Sequence, residues 1–234
     1  MPRIFAIGDL HLAHAVDKPM HKFGEHWRDH ATKMATAWDA LVTPQDLVLV
    51  CGDSSWAMRW NEFEPDLAWI AARPGQKLML RGNHDYWWPS ISKLRSLLPA
   101  GMGALQNDFA RFSDVVIVGS RGWMCPGSRG FKPEEDQKIY DREVQRLRMS
   151  LESAPKDAPL IAAMHYPPTN ERLEPTGFTE LLREFKVPLC VYGHVHGERA
   201  PKITPNGDID GTRYRIVSCD VVGFSPVQIW PPQA

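Results

Sequence analysis

Apolar positions in this chain come in short runs that end abruptly at small or polar residues, with helical spacing in the intervals between them. Residues 3–7 read as a buried strand, followed at once by Gly8-Asp9-Leu10-His11. From 25 to 42, Trp27, Met34, Trp38 and Leu41 recur at the spacing of an amphipathic helix that stops before Pro44. Residues 46–50 are a second apolar strand, closed by Gly52-Asp53. A helix over 61–73 follows, with Phe63, Leu67 and Ile70 on one side and Pro65 in its first turn. Residues 77–80 form a third strand, running into Arg81-Gly82-Asn83-His84-Asp85. This β-α-β-α-β order predicts a mainly parallel sheet, which delivers all its strand ends to one edge. Asp9, His11, Asp53 and Asn83 can therefore converge although the sequence scatters them.

The second half repeats the habit. A short helix over 89–98 precedes two strands at 104–112 and 114–119. Residues 121–133 form a loop with three glycines, two prolines, Arg121 and Arg129. Residues 134–153 read as a charged helix with a stripe of Ile139, Val144, Leu147 and Leu151, which either packs over the sheet or caps its active edge. Together 121–153 make the candidate lid. A strand at 159–164 ends in His165, a helix spans 177–185, and a strand at 187–192 ends in Gly193-His194-Val195-His196. Strands at 214–218 and 227–230 close the chain, with Pro205-Asn206-Gly207-Asp208 as a turn signal. Asp208-Ile209-Asp210-Gly211 has the look of a calcium loop but lacks the remaining ligands, and reads better as a hairpin turn. No repeat or linker divides the chain, so 1–234 reads as a single domain.

Composition narrows the class without changing this outline. With 234 residues, 43% hydrophobic and 24% charged, the chain can bury one substantial core. Lys and Arg number 27 against 28 Asp and Glu, and no run of one sign exists, so broad attraction to nucleic acid or an anionic membrane is not indicated. Cys51, Cys125, Cys190 and Cys219 are widely spaced with no Cys-x-x-Cys pair, as expected of free thiols in a reducing compartment. No leader-like segment opens the sequence and no run is long enough to span a bilayer, so a cytoplasmic, soluble protein is expected.

The residues just past strand ends carry the chemistry. They are Asp9, His11, Asp53, Asn83, His84, Asp85, His165, His194 and His196, and they take five of the nine histidines. One histidine beside a strand is ordinarily a hydrogen-bonded core or surface residue. Five of them at strand termini, with carboxylates in the same pattern, suit borderline divalent ions such as Mn²⁺, Fe²⁺, Co²⁺ or Zn²⁺. The seven candidate ligands exceed the need of one tetrahedral ion. Two ions about 3.5 to 4 Å apart, sharing a carboxylate, would use them and would clamp a phosphoryl group, which points to metal-assisted phosphoester hydrolysis.

In this order, Gly8-Asp9-x-His11, Gly52-Asp53, Gly82-Asn83-His84-Asp85, His165 and Gly193-His194-x-His196 resemble the calcineurin-like metallophosphoesterase superfamily. The resemblance spans residues 9–196. It implies an α/β fold, a four-layer α/β/β/α sandwich of two mixed sheets flanked by helices. It implies that Asp9, His11 and His196 hold one metal, that Asn83, His165 and His194 hold the other, and that Asp53 bridges them. It also implies that a metal-bound water or hydroxide attacks phosphorus in line. His84 would then stabilise the transition state or protonate the leaving oxygen, with Asp85 orienting its ring. The implied substrate is a small phosphorylated molecule, a phosphomonoester or phosphodiester, nucleotides included. A nuclease and a non-catalytic scaffold that keeps the fold are the rival readings, and the oligomeric state stays open.

Residues around the motifs admit two uses each. Tyr86, Trp87 and Trp88 either floor the substrate pocket or pack between sheet and helix. Arg121 and Arg129, with Trp123 and Phe131, either hold the non-reacting part of the substrate or stay solvated. His14 is a candidate for substrate contact at the metal edge. His21, His26 and His30 read as belonging to a loop and a solvated helix face.

Overall fold

The computed structural model describes residues 2–231. Eleven strands form two sheets. The first contains β1 (Ile4–Ile7), β2 (Leu47–Cys51), β3 (Gln76–Leu80), β4 (Met102–Ala104) and β11 (Val227–Trp230), in the order β11-β1-β2-β3-β4. The strands β1 to β4 are parallel and β11 is antiparallel to β1. The second contains β5 (Phe109–Phe112), β6 (Val115–Ser120), β7 (Leu160–Met164), β8 (Leu189–Tyr192), β9 (Gly207–Ile209) and β10 (Thr212–Ile216), in the order β5-β6-β7-β8-β10-β9. Its four central strands are parallel and both edge strands are antiparallel.

Strand alternation explains the layering. In β1, Phe5 and Ile7 face helices α1 (His30–Leu41) and α2 (Trp60–Ala71), where Met34, Trp38, Phe63 and Ile70 are buried; α3 (Ile91–Leu97) adds Leu94 to the same layer. Ile4 and Ala6 face the other way and meet Ile117, Ile161, Ala163 and Val191 of the second sheet. Beyond that sheet, Val116, Val118, Ala162 and Tyr192 pack under α4 (Pro133–Ser153) and α5 (Gly177–Glu184) through Leu147, Leu151, Phe178 and Leu182. Both faces of both sheets are covered, so the parallel strands read as continuous apolar runs rather than alternating ones. Three apolar interfaces between four layers give the expected sandwich of two mixed sheets flanked by helices. Truncating a filler such as Phe63, fully buried, to Ala would cost about 3 to 5 kcal/mol. Lys77 is the exception on a buried strand face: its ammonium turns back to the carbonyls of Ala71 and Arg73, capping the end of α2.

Several boundaries differ from the sequence reading, each for a local reason. Residues 25–29 do not begin α1: Glu25–Trp27 is a 3₁₀ turn, and Asp29 at φ 54° breaks the path before His30. Leu41, expected on the apolar stripe, is exposed. Pro65 lies well inside α2, where its missing N–H leaves a turn without one hydrogen bond. The run 104–112 is not one strand. Ala104 ends β4 in the first sheet, Asn107 turns at φ 61°, and Phe109 starts β5 in the second, so this is where the chain changes sheets. The last hairpin turns at Asp210-Gly211, both at positive φ, as the hairpin reading of 208–211 expects, whereas Gly207-Asp208 open strand β9 rather than form a turn. Helix α4 packs on the second sheet beside α5, so 134–153 belongs to the outer layer, the first of the two placements its apolar stripe allows.

The carboxyl edges of the two sheets are joined by backbone. Gly8 N donates to Val217 O at 2.7 Å and Cys219 N donates back to Gly8 O at 2.9 Å, while within the second sheet Gly193 N donates to His165 O at 3.0 Å. That seam is the floor of the site.

Candidate active site

Each strand end contributes a side chain to this seam. Asp9 and His11 follow β1, Asp53 follows β2, Asn83 and His84 follow β3, His165 follows β7, and His194 and His196 follow β8. Asp9, His11 and His196 present ligand atoms within 4.8 Å of one another, and so do Asp9, Asp53 and His165. Asn83 Oδ1 lies 2.7 Å from His165 Nε2 and 3.0 Å from His194 Nδ1. All seven residues expected as ligands are thus brought to one place.

The backbone is bent to bring them there. Asp9, His11, Asp53 and His194 occupy the left-handed region, at φ 58°, 45°, 49° and 73°. L-residues adopt it only where the surroundings over-determine them, and such residues gather at functional sites. Glycines supply the room. A Cβ on Gly82 would run into the carboxylate and backbone of Asp53, and one on Gly193 into the carboxylate of Asp9. Gly52, Gly82 and Gly193 are there because a neighbouring ligand, His165, Asp53 or Asp9, occupies the place of the side chain.

Ring orientation is fixed by hydrogen bonds from the nitrogen that faces away from the cluster. His165 Nδ1 donates to Cys51 O at 3.0 Å, leaving Nε2 toward Asn83 and Asp53. His196 Nδ1 donates to Asp220 Oδ1 at 2.9 Å, leaving Nε2 toward Asp9. Such outer partners set the tautomer of a metal-binding imidazole. His11 stacks on Trp56 with ring centroids 4.7 Å apart, and its buried Nδ1 has no hydrogen-bond partner.

The charge balance shows what the cluster needs. Asp9 is fully buried and Asp53 nearly so, and no Lys or Arg pairs with either among the described residues. Burial pushes both carboxyls up, and their mutual repulsion adds to this at Asp9. Burial also pushes His11 and His194 well down and His165 down to about 3, so these rings are neutral and have lone pairs to offer. At His196 burial is outweighed by Asp220 and Asp9, which raise it. Two buried anions among neutral imidazoles are untenable without cations. Oxygen and nitrogen donors of this kind fit divalent first-row metals, with Asp9, His11, His196, Asp53, Asn83, His165 and His194 able to hold them.

Asp85 does not do what its position beside His84 led us to expect. Its carboxylate, fully buried, accepts from Gly82 N at 2.7 Å, Ser54 N at 3.0 Å, Ser54 Oγ at 2.9 Å and Trp87 Nε1 at 3.0 Å. None of these is the His84 ring, so Asp85 latches the loop after β3 to the loop after β2. His84 is held instead by its backbone N–H, which donates to Asp53 Oδ1 at 2.8 Å, and by its ring lying 4.5 Å from that of Trp56. The ring is left facing the cavity.

That cavity, about 420 Å³, opens beside His11, Asp53, His84, His194 and His196. None of the six residues expected to contact substrate lines it. Trp87 and Trp88 are buried in the core under α2, Trp87 stacked on Phe63, and Tyr86 is exposed. Arg121 lies over the Trp123 ring and pairs with Glu143 of α4, while Arg129 sits on the exposed loop beside Glu171. His14 Nδ1 pairs with buried Asp66 at 2.6 Å, and Asp66 also accepts from Ser55 Oγ. The lining comes instead from Met20, Phe23, His26, Trp27, Trp56 and Asp220. His26 is exposed at the cavity rim, as a solvated residue should be, whereas His30, expected on a solvated helix face, has its Nε2 3.2 Å from the His11 carbonyl. Of these, only Asp220 carried a signal the sequence could have given, as one more carboxylate just past a strand.

Comparisons with known proteins agree with this geometry. The family model described as calcineurin-like phosphoesterase matches residues 2–198. Gene 66 protein of Mycobacterium phage L5 is 32% identical over 85 residues, 36% of this chain and 41% of that protein, and the phage D29 counterpart is 34% identical over 89 residues. The match thus spans less than half the length of these curated relatives. Among solved structures, phosphopantetheinyl hydrolase (PptH) from Mycobacterium tuberculosis shares the fold over 99% of this chain and 96% of its own, with TM-score 0.61 at 16% identity. The protein of unknown function AQ665 from Aquifex aeolicus does so over 97% and 96%, with TM-score 0.54 at 15% identity. By the match over residues 2–198, the chain belongs to the calcineurin-like phosphoesterase family.

Proposed function

We propose that this protein is a metal-dependent phosphoesterase acting on a small phosphorylated substrate. The observation that carries the reading is the pair of buried carboxylates, Asp9 and Asp53, ringed by imidazoles and unpaired with any Lys or Arg among the described residues. In this reading Asp9, His11 and His196 hold one divalent ion, Asn83, His165 and His194 hold a second, and Asp53 bridges. Two such ions supply positive charge to the phosphoryl oxygens and an activated water at neutral pH.

The chain's own residues do the rest. Asp220 and the Cys51 carbonyl orient His196 and His165. The Asp53 carboxylate, through His84 N–H, fixes the backbone that carries His84. Its imidazole, facing the cavity, hydrogen-bonds the phosphoryl oxygens or gives a proton to the departing alkoxide. The Asp85 latch keeps the loops after β2 and β3 in one piece. Met20, Phe23, Trp27 and Trp56 line the far side with apolar surface.

His84→Ala tests the assignment. With Mn²⁺ and p-nitrophenyl phosphate or its bis ester, turnover should fall by about 10² to 10⁴-fold while metal content is unchanged. Full activity in the variant would remove His84 from the chemistry, and no hydrolysis of either ester by the parent protein would favour a scaffold.

A further inference from the structure

The cavity beside Asp53 and His84 has one polar wall, made by the strand ends, and one apolar wall, made by Met20, Phe23, Trp27 and Trp56. No Lys or Arg side chain lines it among the described residues, and its only carboxylates are Asp53 and Asp220. Lys18, 4.5 Å above the Trp56 ring, is not part of the lining. The apolar wall is firmly set. Trp56 is stacked on His11 and its Nε1 points at Met20 Sδ at 3.1 Å, while Trp27 lies edge-on to Phe224 and His196 at 5.3 and 5.6 Å. Phe23 stands apart from this packing. It ends the 3₁₀ turn Met20–Phe23 with 59% of its surface in water, at the mouth of an apolar hollow.

Resting on the phosphoesterase reading above, we propose that the substrate is the phosphoester of an apolar, uncharged alcohol, whose hydrocarbon or aryl body lies against Met20, Phe23 and Trp56 while its phosphoryl group lies at Asp53 and His84. A body of that kind removes Phe23 and the exposed part of Trp56 from water. A second anionic group, such as the neighbouring phosphates of a nucleic acid or the polyphosphate of a nucleotide, would lie against a wall that has no Lys or Arg in its lining among the described residues and carries Asp220.

Straight-chain alkyl phosphates test this, because their alcohols differ little in acidity and only the length of the apolar body changes. With Mn²⁺-loaded protein, kcat/KM should rise from ethyl to hexyl phosphate by up to roughly fourfold per methylene, and by at least about 20-fold in all. A terminal carboxylate on the hexyl chain should erase the gain, and Phe23→Ala should cut the hexyl-to-ethyl ratio by about fivefold or more. Calorimetric titration with hexylphosphonate and ethylphosphonate reads the same preference without turnover. Hydrolysis that is indifferent to chain length, or that favours the carboxylated ester, overturns the apolar-substrate inference and leaves the phosphoesterase reading standing. Absence of hydrolysis with hexylphosphonate still bound at least about tenfold more tightly than ethylphosphonate overturns the phosphoesterase reading and keeps the ligand class. Loss of both signals overturns both.

Discussion

The two walls of the active-site cavity are built in opposite ways. The polar wall hangs from strand ends of both sheets, four of its ligands at positive φ, all held by close packing around glycines and by hydrogen bonds to backbone. The apolar wall hangs from a segment of short 3₁₀ turns between β1 and α1, plus Trp56 from the loop after β2. One wall is over-determined by the fold; the other is set by a few aromatic contacts. Chemistry that needs fixed charges belongs on the first, and selectivity that must differ between relatives can be carried by the second at little cost to the fold.

Substitutions on and around the polar wall should therefore reach further than those elsewhere. The largest effect is expected from Asp85→Ala, which strands the buried N–H groups of Gly82 and Ser54 and the indole N–H of Trp87. Urea unfolding should show a loss of about 3 kcal/mol or more, with Asp85→Asn in between. A loss below about 0.5 kcal/mol would mean the latch contributes no more than an ordinary surface residue. Next comes Asp220→Ala. It frees His196 Nδ1 and Gly197 N–H, and chelator competition should show metal affinity weakened by about 10 to 100-fold. Unchanged affinity would make Asp220 a mere lining residue. The smallest effect is expected from Arg129→Ala, whose side chain lies on the exposed loop away from the cavity; kcat/KM should stay within about twofold. A tenfold fall would bring the loop 121–132 back into the site.

The same contrast decides what could be read from the sequence. Asp9, Asp53, Asn83 and His165 were legible because a buried parallel strand must stop, and each run stops at a polar residue that the sheet then carries to one edge. The sheet change at Asn107 was not, since 104–112 is apolar enough to pass for one strand and the turn depends on which sheet each half can pair with. The role of Asp85 was hidden for another reason: its partners on the β2 loop lie 30 and 31 residues away, whereas its neighbour His84 is adjacent in sequence but not bonded to it. Met20 and Phe23 sit in a stretch with no regular period and Trp27 in a run that reads as helix, so only the packed structure shows that they face the same hollow as His84.

The phosphoesterase reading depends on cations answering the buried charge of Asp9 and Asp53. The most direct measurement is elemental analysis of the protein after equilibrium dialysis against Mn²⁺, alongside Asp53→Asn. Two ions per chain are predicted for the parent, with occupancy of both depressed in the variant. A parent chain that takes up no metal, or a variant that keeps both ions, would contradict the account.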